Sequence, residues 1–304
     1  MRREIHLESS VSHWAVLNDL HLDRFDSIRD VEPFLPEADK TKGLILAGDI
    51  GVLKHPRKLT PKSPLVQLLV NLSKRFKALV MIFGNHEYYN AAVSEDSYYP
   101  MRLENLLRSL GVHNVHVLDD DTIYIKDNEL RIIGSTLWTD VGGKPHHSHD
   151  LMRSNGRRSP YNDFNFIMHR SIDGKYRRLR PEDVVRMHHK SAQYLHSKLS
   201  DSFVGETWVV SHHLPSYQLL TQSDQKNPMN IMYASNKDDL LNKADVWFFG
   251  HSHQSIDKRV SFSNTRIISN AYGYHKKNHL KGNVVPQYNK ELTVTPRVNF
   301  LQGK

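Results

Sequence analysis

Short apolar runs alternate with stretches whose apolar positions recur every three or four residues, and the two periods together predict stacked β/α units. The runs read as strands are His13–Leu20, Gly43–Gly48, Lys77–Phe83, Thr207–Ser211 and Val246–Phe249. Ser63 before Pro64 supplies an N-cap and first-turn pair for a helix across Leu65–Phe76. A second helix is predicted over Met101–Leu110, stopped by Gly111. Pro181 opens a third that runs to about Leu199, with Glu182 and Asp183 suited to the positive end of its dipole. Between Val115 and Trp138 the strand runs close up around Asp127-Asn128, which predicts a β-hairpin, and Arg259–Ser269 predicts closing strands. From about 141 to 180 the periodicity fades into His, Arg, Gly and Ser, and a long excursion over the surface is expected there. No repeat, low-complexity tract or Pro/Gly/Ser linker divides the chain, so residues 1–304 are expected to form one α/β domain.

The strand ends carry the chemistry. Each apolar strand that closes in Gly or a small polar residue is followed at once by Asp, Asn or His, and in open α/β sheets ligands bind at the carboxyl ends of the strands. Five ends therefore bring hard or borderline metal ligands to one rim. Asp19-x-His21 sets a carboxylate and an imidazole on one face of an extended segment. Gly48-Asp49 adds a carboxylate, Gly84-Asn85-His86-Glu87 an amide and an imidazole, and His212-His213 and Gly250-His251-x-His253 further imidazoles. A lone D-x-H recurs by chance, and paired histidines can sit satisfied at a strand end. G-H-x-H is more telling, since two imidazoles beside Gly have few structural uses. In this order, each at a strand end, the pieces point to metal.

Composition narrows the reading. With no Cys among 304 residues, neither disulfides nor thiolate sites are available, which fits a reducing cytoplasm. Oxygen and nitrogen donors without sulfur suit Mn, Fe, Zn, Co or Ni better than calcium. No apolar run is long enough to cross a bilayer, and the first residues lack the apolar core of a signal peptide. The formal net charge of +8, with twenty His besides, reads either as solubility or as attraction to anionic substrates from nucleotides to nucleic acid. Phosphate ester hydrolysis answers to such a ligand set: two divalent metals about 3.5–4 Å apart lower the pKa of a water and clamp the phosphate oxygens. A carboxylate is the natural bridge between them.

These motifs, Asp19-Leu20-His21, Gly48-Asp49-Ile50-Gly51, Gly84-Asn85-His86-Glu87, His212 and Gly250-His251-Ser252-His253, resemble those of the calcineurin-like metallophosphoesterase superfamily. Further similarity to bacterial and phage members lies in Ser135–Asp140, Asn162-Asp163-Phe164, Val209–Ser216 and Asn270–Tyr274. The resemblance implies two facing mixed β-sheets flanked by helices, a four-layer sandwich with metals at one edge. It implies that Asp19, His21 and His253 hold one metal, that Asn85, His212 and His251 hold the other, and that Asp49 bridges them. His86 would bind no metal but give a proton to the leaving oxygen or stabilise the transition state, and Glu87 would pack, orient a ligand or take part in catalysis. His213 would contact phosphate or only support the ligands. The expected cofactors are two divalent ions, with Mn2+ first. The expected reaction is attack on a phosphoester by a hydroxide shared between them, on a nucleotide or nucleic-acid phosphodiester. The rivals are a phosphomonoesterase, protein phosphatases included, and a non-catalytic binding module on the same fold. His146, His147 and His149 read as solvated loop residues or as part of a lid. Arg153, Arg157, Arg158, Arg170, Arg177 and Arg178 read as a solvated face or a clamp on phosphates, with Arg157 and Arg158 as candidate substrate contacts.

Overall fold

The computed structural model describes residues 3–8, 10–53, 59–94, 98–143, 159–274 and 288–297. After β1 (Glu4–Leu7) the chain runs through β2 (Trp14–Leu17), β3 (Asp39–Ala47), α1 (Pro64–Arg75) and β4 (Phe76–Ile82). Then come β5 (Ala92–Val93), α2 (Tyr98–Ser109), β6 (Val115–Leu118), β7 (Asp121–Ile125) and β8 (Leu130–Ser135). The short α3 (Asn162–Phe166), β9 (Met168–Arg170) and β10 (Tyr176–Arg178) lead into α4 (Pro181–Ser200) and β11 (Glu206–Ser211). The remainder is α5 (Gln222–Gln225), α6 (Asp238–Leu241), β12 (Val246–Phe248), β13 (Ser255–Arg259), β14 (Arg266–Asn270) and β15 (Thr293–Val294).

Among the described residues these strands make two large mixed sheets and a small one. The five-stranded sheet has the order β15-β2-β3-β4-β6, the seven-stranded sheet β1-β7-β8-β11-β12-β14-β13, and the three-stranded sheet β10-β9-β5. β2, β3, β4 and β6 are parallel, as are β8, β11, β12 and β14. Parallel strands covered on both faces read as unbroken apolar runs, and β2, β11 and β12 are buried at every position.

The two-residue period of a strand sorts these side chains into layers. Trp14, Val16, Ile45, Val80 and Ile82 of the smaller sheet face Ile132, Trp208, Val210, Phe248 and Ile268 of the larger one. The alternate residues Leu17, Leu44, Leu46, Leu79 and Met81 pack under Leu65, Leu69 and Leu72 of α1 and Leu103 and Leu107 of α2. Ile133, Val209, Trp247 and Ile267 pack under Tyr194, Leu195 and Leu199 of α4. The result is the helix–sheet–sheet–helix sandwich. At its centre the Trp14 and Trp208 rings meet edge to face, 6.4 Å apart. Gly43 pairs with Trp14 in register, and a Cβ there would lie 2.4 Å from the indole.

Three local readings change. Ser63 precedes α1 without capping it: its Oγ accepts from the Thr60 amide at 3.0 Å and closes the preceding turn instead. The stretch Val115–Trp138 divides between the sheets, with β6 in the smaller and the hairpin β7–β8 in the larger, turned through Lys126–Asn128. The stretch 141–180 is not a surface excursion throughout, since Tyr161, Asp163, Phe164 and Ile167 are buried. His146, His147, His149 and Arg153, Arg157 and Arg158 lie outside the described residues. Among the described residues no helix is long and apolar enough to cross a membrane.

Because Trp208 is fully buried between the sheets, Trp208→Ala should lower the unfolding free energy by about 3–5 kcal/mol. Urea denaturation of the metal-free protein measures this, and a loss below about 1 kcal/mol would mean that the inter-sheet core is elsewhere.

Candidate metal centre

The segments that follow β2, β3, β4, β11 and β12 meet at one edge of the sandwich, where the C-terminal ends of both parallel sets open. Backbone hydrogen bonds lock them together. The Asp19 amide donates to Gly48 O at 3.0 Å, His21 to Asp49 O at 2.9 Å, and Gly250 to His212 O at 3.0 Å. Asp19, His21, Asp49, His251 and His253 all hold φ between 49° and 68°. Left-handed backbone at a non-glycine residue is disfavoured by ~1 kcal/mol or more, and here it falls on five of the seven side chains expected to bind metal.

Two clusters result among the described residues, besides a third group of His21, Asp23 and His86 that shares His21 with the first. Ligand atoms of Asp19, His21 and His253 lie within 4.8 Å of one another, as do those of Asp49, His212 and His251. Asp49 stands between the clusters. Its Oδ1 is 3.3 Å from His212 Nε2 and its Oδ2 is 3.9 Å from His21 Nε2. Asn85 joins the second cluster, its Oδ1 lying 3.1 Å from His212 Nε2 and 3.2 Å from His251 Nδ1. Asp19, His21 and His253 thus group together, and Asn85, His212 and His251 group beside Asp49.

Donor chemistry tests whether these residues suit cations. The Ala47 carbonyl accepts from His212 Nδ1 at 3.0 Å, and the Met232 carbonyl accepts from His251 Nε2 at 3.1 Å. Each bond fixes a tautomer and turns the other ring nitrogen, with its lone pair, toward Asn85 Oδ1. At His251, which burial keeps neutral, lone pair thus faces lone pair, an arrangement that a cation between them resolves. In the first cluster His21 Nε2 and His253 Nε2 stand 2.9 Å apart, again two ring nitrogens aimed at one point. Among the described residues the ion-pair partners of Asp19 and Asp49 are histidines alone, so no Lys or Arg there neutralises these buried carboxylates. The residues fit a pair of divalent ions.

The electrostatics agree. Burial works to raise the Asp49 carboxyl, but the surrounding histidines, His212 foremost, hold it well below the usual carboxylate range. Burial raises Asp19. Desolvation pushes His21 and His251 well down and keeps them neutral, with lone pairs available. Burial opposes charge on His212, yet the Asp49 carboxylate lifts it to about 10.

Glu87 proves to be a scaffold. Its Oε1 accepts from the amides of Ile50 (2.7 Å) and Gly51 (3.1 Å), and its Oε2 from those of Asp49 (3.0 Å) and Gly84 (2.7 Å). One carboxylate therefore fastens the turn after β3 to the turn after β4. Burial and the neighbouring Asp49 charge push Glu87 up to about 7, against the pull of those amides. At Gly84 a Cβ would lie 2.2 Å from Asp49 Oδ1 and 2.6 Å from the His212 ring, so the turn is passable only to glycine.

His86 stands beside the clusters. Its ring stacks on Tyr89 at 4.1 Å and its Nε2 lies 3.4 Å from the Tyr274 hydroxyl. Together with Asp49, Asn85, His251 and His253 it lines a cavity of about 300 Å3 whose other walls include Tyr161, Tyr233, Met229 and Asp224. His213 is fully buried, held by the Thr136 carbonyl at 3.2 Å and stacked on Trp138. Burial pushes it down to about 3. Its ring lies 4.4 Å from that of His251, and it is not among the residues that line the cavity. Arg177 is taken up by Asp183 at 2.7 Å, and Arg178 by the Asn165 carbonyl. No Arg or Lys lines the cavity among the described residues.

Sequence reasoning gave no role to several residues of the site. Asn18 donates to Asp19 Oδ2 at 2.7 Å, Asp163 accepts from Asn85, and Tyr89 and Tyr274 flank His86. Asp163 and Tyr274 do lie in stretches quoted for similarity, but a role for either depends on a partner far away in the chain.

A family model described as calcineurin-like phosphoesterase matches residues 13–255. A search of curated proteins gives no match. The crystal structure of phosphopantetheinyl hydrolase from Mycobacterium tuberculosis is similar at a TM-score of 0.63 with 16% identity, covering 98% of this chain and 100% of that one. A protein from Staphylococcus aureus assigned as a 5'-nucleotidase is similar at 0.41 with 18% identity, covering 84% of this chain and 48% of that one.

Removing the Glu87 carboxylate would leave four buried amides without an acceptor, each omission costing about 1–3 kcal/mol before relaxation. Glu87→Ala should therefore lower the unfolding free energy of the metal-free protein by at least ~3 kcal/mol. Chemical denaturation in the presence of chelator measures it, and unchanged stability would refute the clamp.

Proposed function

Because the chain belongs to the calcineurin-like phosphoesterase family, and is thereby a metal-dependent hydrolase of phosphoric esters, we propose that it cleaves a nucleotide-type phosphodiester. The placement of Asp49, with one oxygen toward each histidine cluster, carries the reading of a two-metal centre. Asp19, His21 and His253 hold one divalent ion, Asn85, His212 and His251 the other, and Asp49 both. Manganese is the first choice, with Fe, Zn, Co and Ni behind it, since every donor is oxygen or imidazole nitrogen. Bound there, the two ions lower the pKa of a water and neutralise the charge that develops on the phosphoryl oxygens.

The rest falls to the chain's own side chains. His86 gives its proton to the leaving oxygen as the P–O bond to the alcohol breaks, while water supplies the new P–O bond. The Tyr89 ring stacked against it and the Tyr274 hydroxyl at 3.4 Å restrict its orientation.

The cavity supports the choice of substrate. At about 300 Å3 it suits a small ester. The faces of Tyr161 and Tyr233 offer stacking for a base, worth about 1–3 kcal/mol. Asp224 and Asn162 offer acceptors for sugar hydroxyls. The net charge of +8 adds a long-range attraction for anions.

With Mn2+ restored after chelation, the chain should hydrolyse bis(p-nitrophenyl) phosphate faster than p-nitrophenyl phosphate, and dinucleotides or cyclic nucleotides faster than phosphopeptides. A phosphopantetheinyl ester joins the panel, because the full-length structural likeness is to a hydrolase of that name. His86→Ala should lower kcat by about 10²–10⁴ with both metals retained. A monoester preference would overturn the diesterase reading, and turnover surviving Asp49→Ala would overturn the centre itself.

A further inference from the structure

Asp163 is buried, and it comes from α3, a five-residue helix inside a stretch whose sequence offered no ligand motif. Its Oδ1 accepts from Asn85 Nδ2 at 2.7 Å and from the Tyr89 hydroxyl at 2.9 Å. Asn85 Oδ1 faces the other way, toward His212 Nε2 and His251 Nδ1. Resting on the reading of Asn85, His212 and His251 as one of two cation sites, we propose that Asp163 is a positioning residue that keeps the oxygen of the Asn85 amide turned toward the cation.

The reason is the near symmetry of the amide. Its two ends are alike in size and opposite in polarity, and only the oxygen can bind a cation. Turned over, the nitrogen would donate to the His251 lone pair and present no acceptor to a cation. The same turn would set the amide oxygen against the Asp163 carboxylate, acceptor against acceptor, inside a buried network where that conflict is costly. Asp163 thus supplies the penalty that the ligands themselves lack. Through it, a residue 78 positions away along the chain governs a ligand that follows β4.

Calorimetric titration of Mn2+ into the metal-free full chain, with bound metal counted by elemental analysis, tests this. Asp163→Ala should weaken one of two sites by about 10–100-fold and leave the other within about threefold. Asp163→Asn keeps an acceptor and should recover most of the loss, whereas metal-free Asp163→Ala, which leaves the Asn85 amide and the Tyr89 hydroxyl without an acceptor, should unfold at a lower temperature than the parent. In an Asn85→Asp background the ligand has no wrong way round and carries a charge like that of Asp163, so Asp163→Ala should there leave Mn2+ affinity unchanged or raise it. An equal loss in both backgrounds would mean a merely structural role and overturn the proposal. If Asn85→Ala keeps both sites, the reading of the centre fails and takes this proposal with it. If Asn85→Ala loses one site while Asp163→Ala loses none, the positioning role alone fails.

Discussion

Four backbone amides converge on the Glu87 carboxylate, and the shape of the metal centre follows from that convergence. Asp49 can bridge only if the turn after β3 and the turn after β4 lie against each other, and a single buried acceptor holds them there. The close approach admits no side chain at Gly84, because the Asp49 carboxylate and the His212 ring occupy that space. Around that approach Asp19, His21, Asp49, His251 and His253 all hold left-handed backbone. The strain is borne because hydrogen bonds between neighbouring strand ends and two layers of apolar packing determine the local geometry more strongly than dihedral preference does.

Each cluster draws on both sheets. Asp19 and His21 come from the smaller sheet and His253 from the larger, whereas Asn85 comes from the smaller and His212 and His251 from the larger. Cations held there would tie the sheets together at the edge where the apolar core between Trp14 and Trp208 gives way to polar side chains. Binding that requires the native arrangement stabilises it by mass action. The centre is therefore also the edge closure of the sandwich, and sheet packing and metal affinity become linked quantities.

Around this core the neutral histidines and the buried carboxylates divide the electrostatic work. Desolvation keeps His21 and His251 neutral, and the imidazoles around Asp49 keep it ionised, so donors and charge are both in place for cations. Outside the ligands a belt of Tyr89, Tyr161, Tyr233 and Tyr274 forms the cavity walls. Guanidinium groups expected as phosphate clamps are engaged elsewhere among the described residues, Arg177 with Asp183 and Arg178 with a backbone carbonyl. The described lining of the cavity is aromatic, amide, imidazole and carboxylate in character, without a guanidinium or ammonium group.

Much of this was legible from the sequence by itself. Apolar runs ending in Gly-Asp, Gly-Asn-His or Gly-His-x-His specify both the strands and the residues placed at their ends, since pleating and chain continuity are local properties. That is why candidate ligands on one rim could be named from the strand ends, whereas the two-sheet sandwich and the grouping of Asp19, His21 and His253 apart from Asn85, His212 and His251 came from the resemblance to the phosphoesterase motifs. What needed the tertiary structure depends on contacts between distant segments. Glu87 could be read as a catalyst or a support until four amides were found around it. The burial of His213 against Trp138 and Thr136 likewise emerged only in the folded chain. Asp163 lay in a stretch of similarity but carried no sign of a role, because an aspartate in an aperiodic stretch acquires its role only from the amide that folding sets 2.7 Å away. Local periodicity specifies elements and the residues at their tips. Hydrogen-bond partners, tautomers and the orientation of a single amide are decided by which tips the packed sheets bring together.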